Sequence, residues 1–173
     1  MAITYTAIAT TTVGAGGASS IDFTSIPNTY TDLLIKISTR STVAGTGQDD
    51  INVTFNGSTS SYSWRNLLGS GSSAISQSGG TSNIRMSAVS PNAGTTSSTF
   101  SNAELYIPNY AGSNNKSVSI DMVSEANQAS TYMGLVAGLW SNSSAITQVT
   151  FTGASGNFVQ YSSATLYGIK NTV

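Results

Sequence analysis

Apolar residues in this chain recur at every second position, and almost nowhere at helical spacing. Leu33, Ile35 and Ile37 are separated by Leu34 and Lys36, Ile51, Val53 and Phe55 by Asn52 and Thr54, and Val118, Ile120 and Met122 by Ser119 and Asp121. A period of two sends alternate side chains to opposite faces of a pleated strand, so one set packs into a core while the other meets solvent. Further strand candidates are Ile3 to Ala9, Ser19 to Phe23, Tyr62 to Leu68, Ile84 to Val89, Phe100 to Ile107, Met133 to Trp140, Ile146 to Phe151 and Tyr161 to Ile169. Between these runs lie turn formers such as Gly14-Ala15-Gly16-Gly17, Asn56-Gly57, Gly69-Ser70-Gly71 and Gly153-Ala154-Ser155-Gly156. Short strands with turn signals at this spacing predict an all-β fold, an antiparallel β-sandwich of about ten strands with a jelly roll as the favoured topology.

The chain has 173 residues and no cysteine, a length at which one domain (1–173) holds its core without disulfide or metal. The serine-rich stretches Ser70 to Ser82 and Ser90 to Ser101 are expected to be long loops at the sandwich ends, because strand-like segments follow each of them. Residues 1–12 are expected to form an extended N-terminal segment.

Composition narrows the chemistry. Histidine and cysteine are both absent, which removes the usual proton shuttle and the usual soft metal ligands, so no catalytic residue, metal site or cofactor is expected. A nucleophilic serine would then need a lysine base, and the chain is not expected to be an enzyme. Asp49 and Asp50 are adjacent carboxylates in a Gly-rich stretch, but neighbours on an extended chain point opposite ways, so a solvated turn is expected rather than a calcium loop. Asp22, Glu104, Asp121 and Glu125 stand apart, and no acid/base carboxylate pair can be named among them. The sequons at Asn52, Asn56, Asn115 and Asn142 are what a chain rich in Asn, Ser and Thr contains by chance.

The basic residues Lys36, Arg40, Arg65, Arg85, Lys116 and Lys170 are scattered and the net charge is −1. Phosphate binding needs cations grouped on one face, so no nucleic-acid partner is expected. No stretch has the length and apolarity of a membrane helix, and Met1 to Ala7 lacks both the basic start and the apolar run of a secretory signal, so no membrane partner is expected either. A surface with little self-repulsion suits association with copies of itself. Aromatic residues near loops are the remaining candidates for recognition. Tyr62, Trp64, Arg65 and Tyr110 are the binding candidates, whereas Trp140, at the end of an apolar strand, is expected in the core.

The linear order of segments is also familiar. Ala9-Thr10-Thr11-Thr12-Val13-Gly14-Ala15-Gly16-Gly17-Ala18 leads to Phe23-Thr24-Ser25-Ile26-Pro27-Asn28-Thr29-Tyr30-Thr31-Asp32-Leu33, followed by Phe55-Asn56-Gly57 and Ser61-Tyr62-Ser63-Trp64-Arg65. Toward the end come Gly138-Leu139-Trp140, Ser144-Ala145-Ile146-Thr147 and Gly156-Asn157-Phe158-Val159-Gln160-Tyr161-Ser162-Ser163-Ala164-Thr165-Leu166-Tyr167-Gly168-Ile169-Lys170. Together they resemble a family of small virion structural proteins of tailed bacteriophages, of the marine and cyanophage type. The closing segment is the most specific part, and Ser87 to Thr99 departs from the pattern. The resemblance brings no catalytic residues. It implies a virion structural protein, synthesised in the host cytoplasm; coverage of the whole chain by one domain, low charge and the absence of reactive side chains place it, as an expectation, on the capsid surface. The expected role is a decoration or cement protein that binds the assembled shell, with the major capsid protein and copies of itself, as a trimer, for partners. The alternative is a tail-fibre or baseplate subunit that binds a cell-surface glycan.

Overall fold

The computed structural model describes residues 3–129 and 131–171. They form twelve strands and no helix: β1 (Ile3–Thr12), β2 (Ser20–Phe23), β3 (Asp32–Ser38), β4 (Gln48–Phe55), β5 (Tyr62–Gly69), β6 (Ala74–Thr81), β7 (Ile84–Pro91), β8 (Asn102–Ile107), β9 (Lys116–Ser124), β10 (Tyr132–Trp140), β11 (Val149–Gly153) and β12 (Ser163–Asn171). The strands make two sheets, one of eight in the order β1-β12-β3-β8-β9-β10-β5-β6 and one of four in the order β2-β11-β4-β7. Every pairing is antiparallel. The protein is therefore the antiparallel β-sandwich that the alternating pattern predicts.

The order is nested. In the larger sheet β1 pairs with β12, and β3 lies between β12 and β8; in the smaller, β2 pairs with β11, and β4 lies between β11 and β7. Two hairpins, β5–β6 and β9–β10, then extend the larger sheet, setting β9, β10, β5 and β6 on its far side from β1. Where the chain leaves β4 for β5, Asn56 (φ 52°) and Gly57 (φ 66°) are both left-handed, a conformation that asparagine and glycine tolerate best. The Asn56 side chain fixes this turn to the other end of the chain, accepting from the backbone N–H of Thr147 and Gln148 and donating to the Ala145 carbonyl.

The core follows from the alternation. In β9, Val118, Ile120 and Met122 face inward while Ser119, Asp121 and Val123 face out; in β4, Ile51, Val53 and Phe55 are fully buried. Phe55, Tyr62 and Trp140 form an aromatic group with ring centroids 5.7 to 6.1 Å apart, an arrangement that adds to the burial of the rings themselves. Trp140 is in the core as expected. Beside it Gly138 keeps β10 close to the smaller sheet, because a Cβ there would stand 2.8 to 3.1 Å from atoms of Ile84.

Two segments differ from the expectations. Within Ser70 to Ser82, expected as a loop, Ala74–Thr81 is strand β6, joined to β5 by a full antiparallel register. It lies at the sheet edge with almost every residue exposed, so no buried face exists to impose an alternation on its sequence. Asp49 and Asp50 are not a solvated turn but the start of β4. Asp49 is buried and accepts from the Ser41 hydroxyl (3.0 Å) and the Gly156 N–H (3.0 Å). Residues 3–12 form an extended strand paired along β12; residues 1 and 2 lie outside the described part.

Ser90 to Ser101 begins as the end of β7 and continues as a loop wrapped around one cation. The buried Arg40 guanidinium donates to the carbonyls of Thr96 (2.8 Å), Thr99 (2.9 Å), Ala93 (3.0 Å) and Thr95 (3.1 Å). A planar fork of fixed donors can satisfy several carbonyls at once, which an ammonium cannot match. Replacing Arg40 with Met should therefore cost about 2–4 kcal/mol, because buried carbonyls lose their donor. Arg40→Lys should recover only part of that, and urea denaturation of the purified chain measures both.

Candidate functional site

The four aromatic and basic binding candidates do not come together. Tyr62 is buried in the aromatic group, and its hydroxyl accepts from the Phe55 N–H at 2.7 Å. Tyr110 is fully buried and donates its hydroxyl hydrogen to the Pro27 carbonyl. Burial raises the pKa of both phenols above the ordinary tyrosine value. Trp64 is nearly buried, its indole lying over Gly79 of the neighbouring strand so closely that a Cβ at Gly79 would meet it at 2.7 Å. These three are packing residues, and they correct the reading of them as recognition residues: each lies on the inward parity of its strand or in a loop folded onto the core. Arg65, on the outward parity of β5, is exposed.

Around Arg65 the outer face of the larger sheet has an unusual composition. The strand register sets rows across β9, β10 and β5: Val123, Met133 and Gly69; Asp121, Leu135 and Leu67; Ser119, Ala137 and Arg65; Ser117, Leu139 and Ser63. Met133 (64% exposed), Leu135 (58%), Leu67 (55%) and Val123 (43%) are four of the most exposed large apolar side chains among the described residues. On β10 the outward positions are Met133, Leu135, Ala137 and Leu139, and the inward ones between them are Gly134, Val136 and Gly138. From Met133 to Trp140 the strand has no polar side chain at all, the composition of a strand covered on both faces. Its neighbour β9 shows the ordinary pattern, with Ser117, Ser119 and Asp121 outward. Scattered exposed apolar residues are normal on a protein surface, whereas a contiguous set marks an interaction surface.

Charge adds to this picture. Lys36 pairs with Glu104 at 3.1 Å and Arg85 with Asp50. Arg40 and Lys116 donate to backbone carbonyls, and Asp22, Asp32, Asp49 and Glu125 accept from hydroxyls or backbone N–H groups. Among the described residues, that leaves Arg65, Asp121 and Lys170 as the charged side chains with no partner. Two of these three flank the apolar stripe, from β5 and β9, on opposite sides of β10 and with opposite sign.

No group of three or more carboxylates converges among the described residues. One Ser-x-x-Lys spacing is present, at Ser113-Asn114-Asn115-Lys116. The Lys116 ammonium is buried and donates to the carbonyls of Gly112 (2.6 Å) and Asn114, while Ser113 is exposed and makes no hydrogen bond to it. This lysine closes a turn. The exposed apolar face gave no signal as a motif, but it was legible as the unbroken run Met133 to Trp140. No family model, no curated protein and no solved structure matches the chain.

Nearer the other edge of the same outer face, Tyr106 donates to Asp32 at 2.8 Å, and the Asn109 N–H donates to the second carboxylate oxygen at 2.9 Å. Burial, with the Asp32 hydrogen bond and charge adding to it, pushes the Tyr106 phenol up to about 12. An unfolded tyrosine ionises near pH 10, so the contribution of protonated Tyr106 to stability is complete below about pH 10 and is lost as the pH rises toward 12. Tyr106→Phe should remove this component, flattening the fall in stability over that alkaline range. Denaturation midpoints followed against pH, together with tyrosinate absorbance, check it.

Proposed function

We propose that this chain is a structural subunit of a tailed-bacteriophage particle, a decoration or cement protein that binds the assembled capsid shell and associates with copies of itself. The observation that carries this reading is the outer face of β10, where a continuous apolar stripe is exposed on a sandwich whose other charged side chains, Lys170 apart, are committed within the described residues. Such a surface suits permanent contact with another protein. The resemblance to small virion proteins gives the setting. Its most specific segment, Gly156 to Lys170, supplies β12, which lies between β1 and β3, and the bridges of Phe158 to Ala18 and Ser41.

The nested strand order supports reading the sandwich as a jelly roll carrying two inserted hairpins, a topology used in capsid and lectin domains alike; the link from fold to setting is one of analogy. The tail-fibre or baseplate alternative calls for aromatic side chains presented at loops, and three of the four recognition candidates are buried. Tyr161, exposed at 68% with φ 72°, is the loop aromatic that such a role would have to use.

Quantitative mass spectrometry of purified particles tests the shell assignment. A decoration protein is expected at a copy number comparable to that of the major capsid protein. A copy number matching tail or baseplate subunits would replace this reading with the tail one, and absence from the particle would remove both.

A further inference from the structure

We propose that the outer face around β10 is a two-fold interface between two copies of this chain, with β10 stacked on β10 and Arg65 of each copy paired with Asp121 of the other. The inference deepens the self-association in the proposed function and rests on that part of it.

The stripe is self-complementary about one axis. A two-fold axis running along β10 between the stacked sheets places the β9 side of one copy over the β5 side of the other. Leu135 then meets Leu135, Met133 meets Met133, and Val123 of one copy stands over Gly69 of the other, where no side chain competes for the space. Arg65 and Asp121 sit on opposite sides of β10, in adjacent outward rows. The same axis brings them to one side, offset by two residues, about 7 Å along the strand and roughly 10 Å between sheets. An extended guanidinium side chain and a carboxylate span that separation, and symmetry makes the pair twice. Within one copy they are two strands apart and do not pair, which matches their lack of any partner among the described residues.

Size is consistent with a stable contact. The five strands from β8 to β6 that the axis superposes cover about 24 by 27 Å. Stacking them buries on the order of 1,300 Å² in total, inside the range of specific interfaces. Sheets that stack face to face do so at this spacing with aligned strands. Two-fold closure is an isologous contact and ends at two copies, so the geometry assigns a dimer at this face where the sequence led to the expectation of a trimer.

Sedimentation equilibrium or light scattering on the full chain tests it. The wild type is expected to be a dimer, and Leu135→Asp a monomer. Arg65→Asp and Asp121→Arg should each weaken dimerisation by on the order of tenfold, since each places like charges together twice. The double variant Arg65→Asp/Asp121→Arg should restore it. All four positions substituted or paired here are exposed in the single chain, so near-ultraviolet circular dichroism should stay that of the wild type; Met133→Gln provides a milder probe of the same face. A wild type that is monomeric or trimeric, a Leu135→Asp dimer, or a charge swap that fails to restore association would each overturn the proposal. The outcome separates from the virion reading: a dimer whose copy number is absent from particles sinks that reading alone, and an abundant shell protein that is monomeric sinks this one alone.

Discussion

The long connections of this sandwich depend on one constraint, that every buried backbone carbonyl and N–H must find a partner. Regular strands satisfy it by pairing; the segments between them cannot. The chain meets the need with the few charges it has. Arg40 gathers four carbonyls of the 93–99 loop, Lys116 holds Gly112 and Asn114, and the Asp49 carboxylate takes the N–H groups of Asp50 and Gly156 with the Ser41 hydroxyl. Asp32 does the same for Asn109 while receiving the Tyr106 hydroxyl. A charged group makes stronger hydrogen bonds than a neutral one, so a low charge content is enough to order loops that composition alone would leave loose. The same use removes these residues from any chemistry of their own.

With the loops fixed, the two sheets can lie close. Small residues at inward positions of β10, such as Gly138 under Ile84, allow the approach, and the aromatic group of Phe55, Tyr62 and Trp140 fills the space at one end. The smaller sheet has only four strands against eight, so the hairpins β5–β6 and β9–β10 extend beyond the pairing that the nested strands provide. The core covers the inner face of β10. Its outer face has the same apolar character, and nothing among the described residues covers it.

The sequence was informative where one face of a strand is buried and the other wet. β3, β4 and β9 alternate cleanly, and their positions and the sandwich class follow from that pattern. β6 was hidden because an edge strand exposed on both faces has no reason to alternate, and its Ser/Gly composition looks like that of a loop. β10 was legible as a strand, but its unbroken apolar run does not say which of its two faces the core covers. The aromatic candidates were misplaced for a related reason: Tyr62 and Trp64 neighbour polar residues in sequence, yet they share the inward parity of β5 with Leu68. Parity, rather than local polarity, decides which of them meets solvent. Asp49 likewise reads as solvated beside Asp50 until the Ser41 and Gly156 contacts, distant in sequence, are brought to it.

The charges left over carry the last step. Most ionic groups here are held by backbone or by one another, so an Arg and an Asp with no partner among the described residues, on either side of the most apolar strand, point to a contact outside the chain. A single partner surface of one sign would satisfy only one of them and repel the other. A copy of the same face presents both signs in mirrored order and satisfies both, and it covers Met133, Leu135 and Leu67 in the same step. Closing that face also leaves the outer side of the smaller sheet, with Asp22 and Thr150, and the loop ends turned away from the contact. Those polar surfaces are the ones that such a dimer leaves open to other contacts.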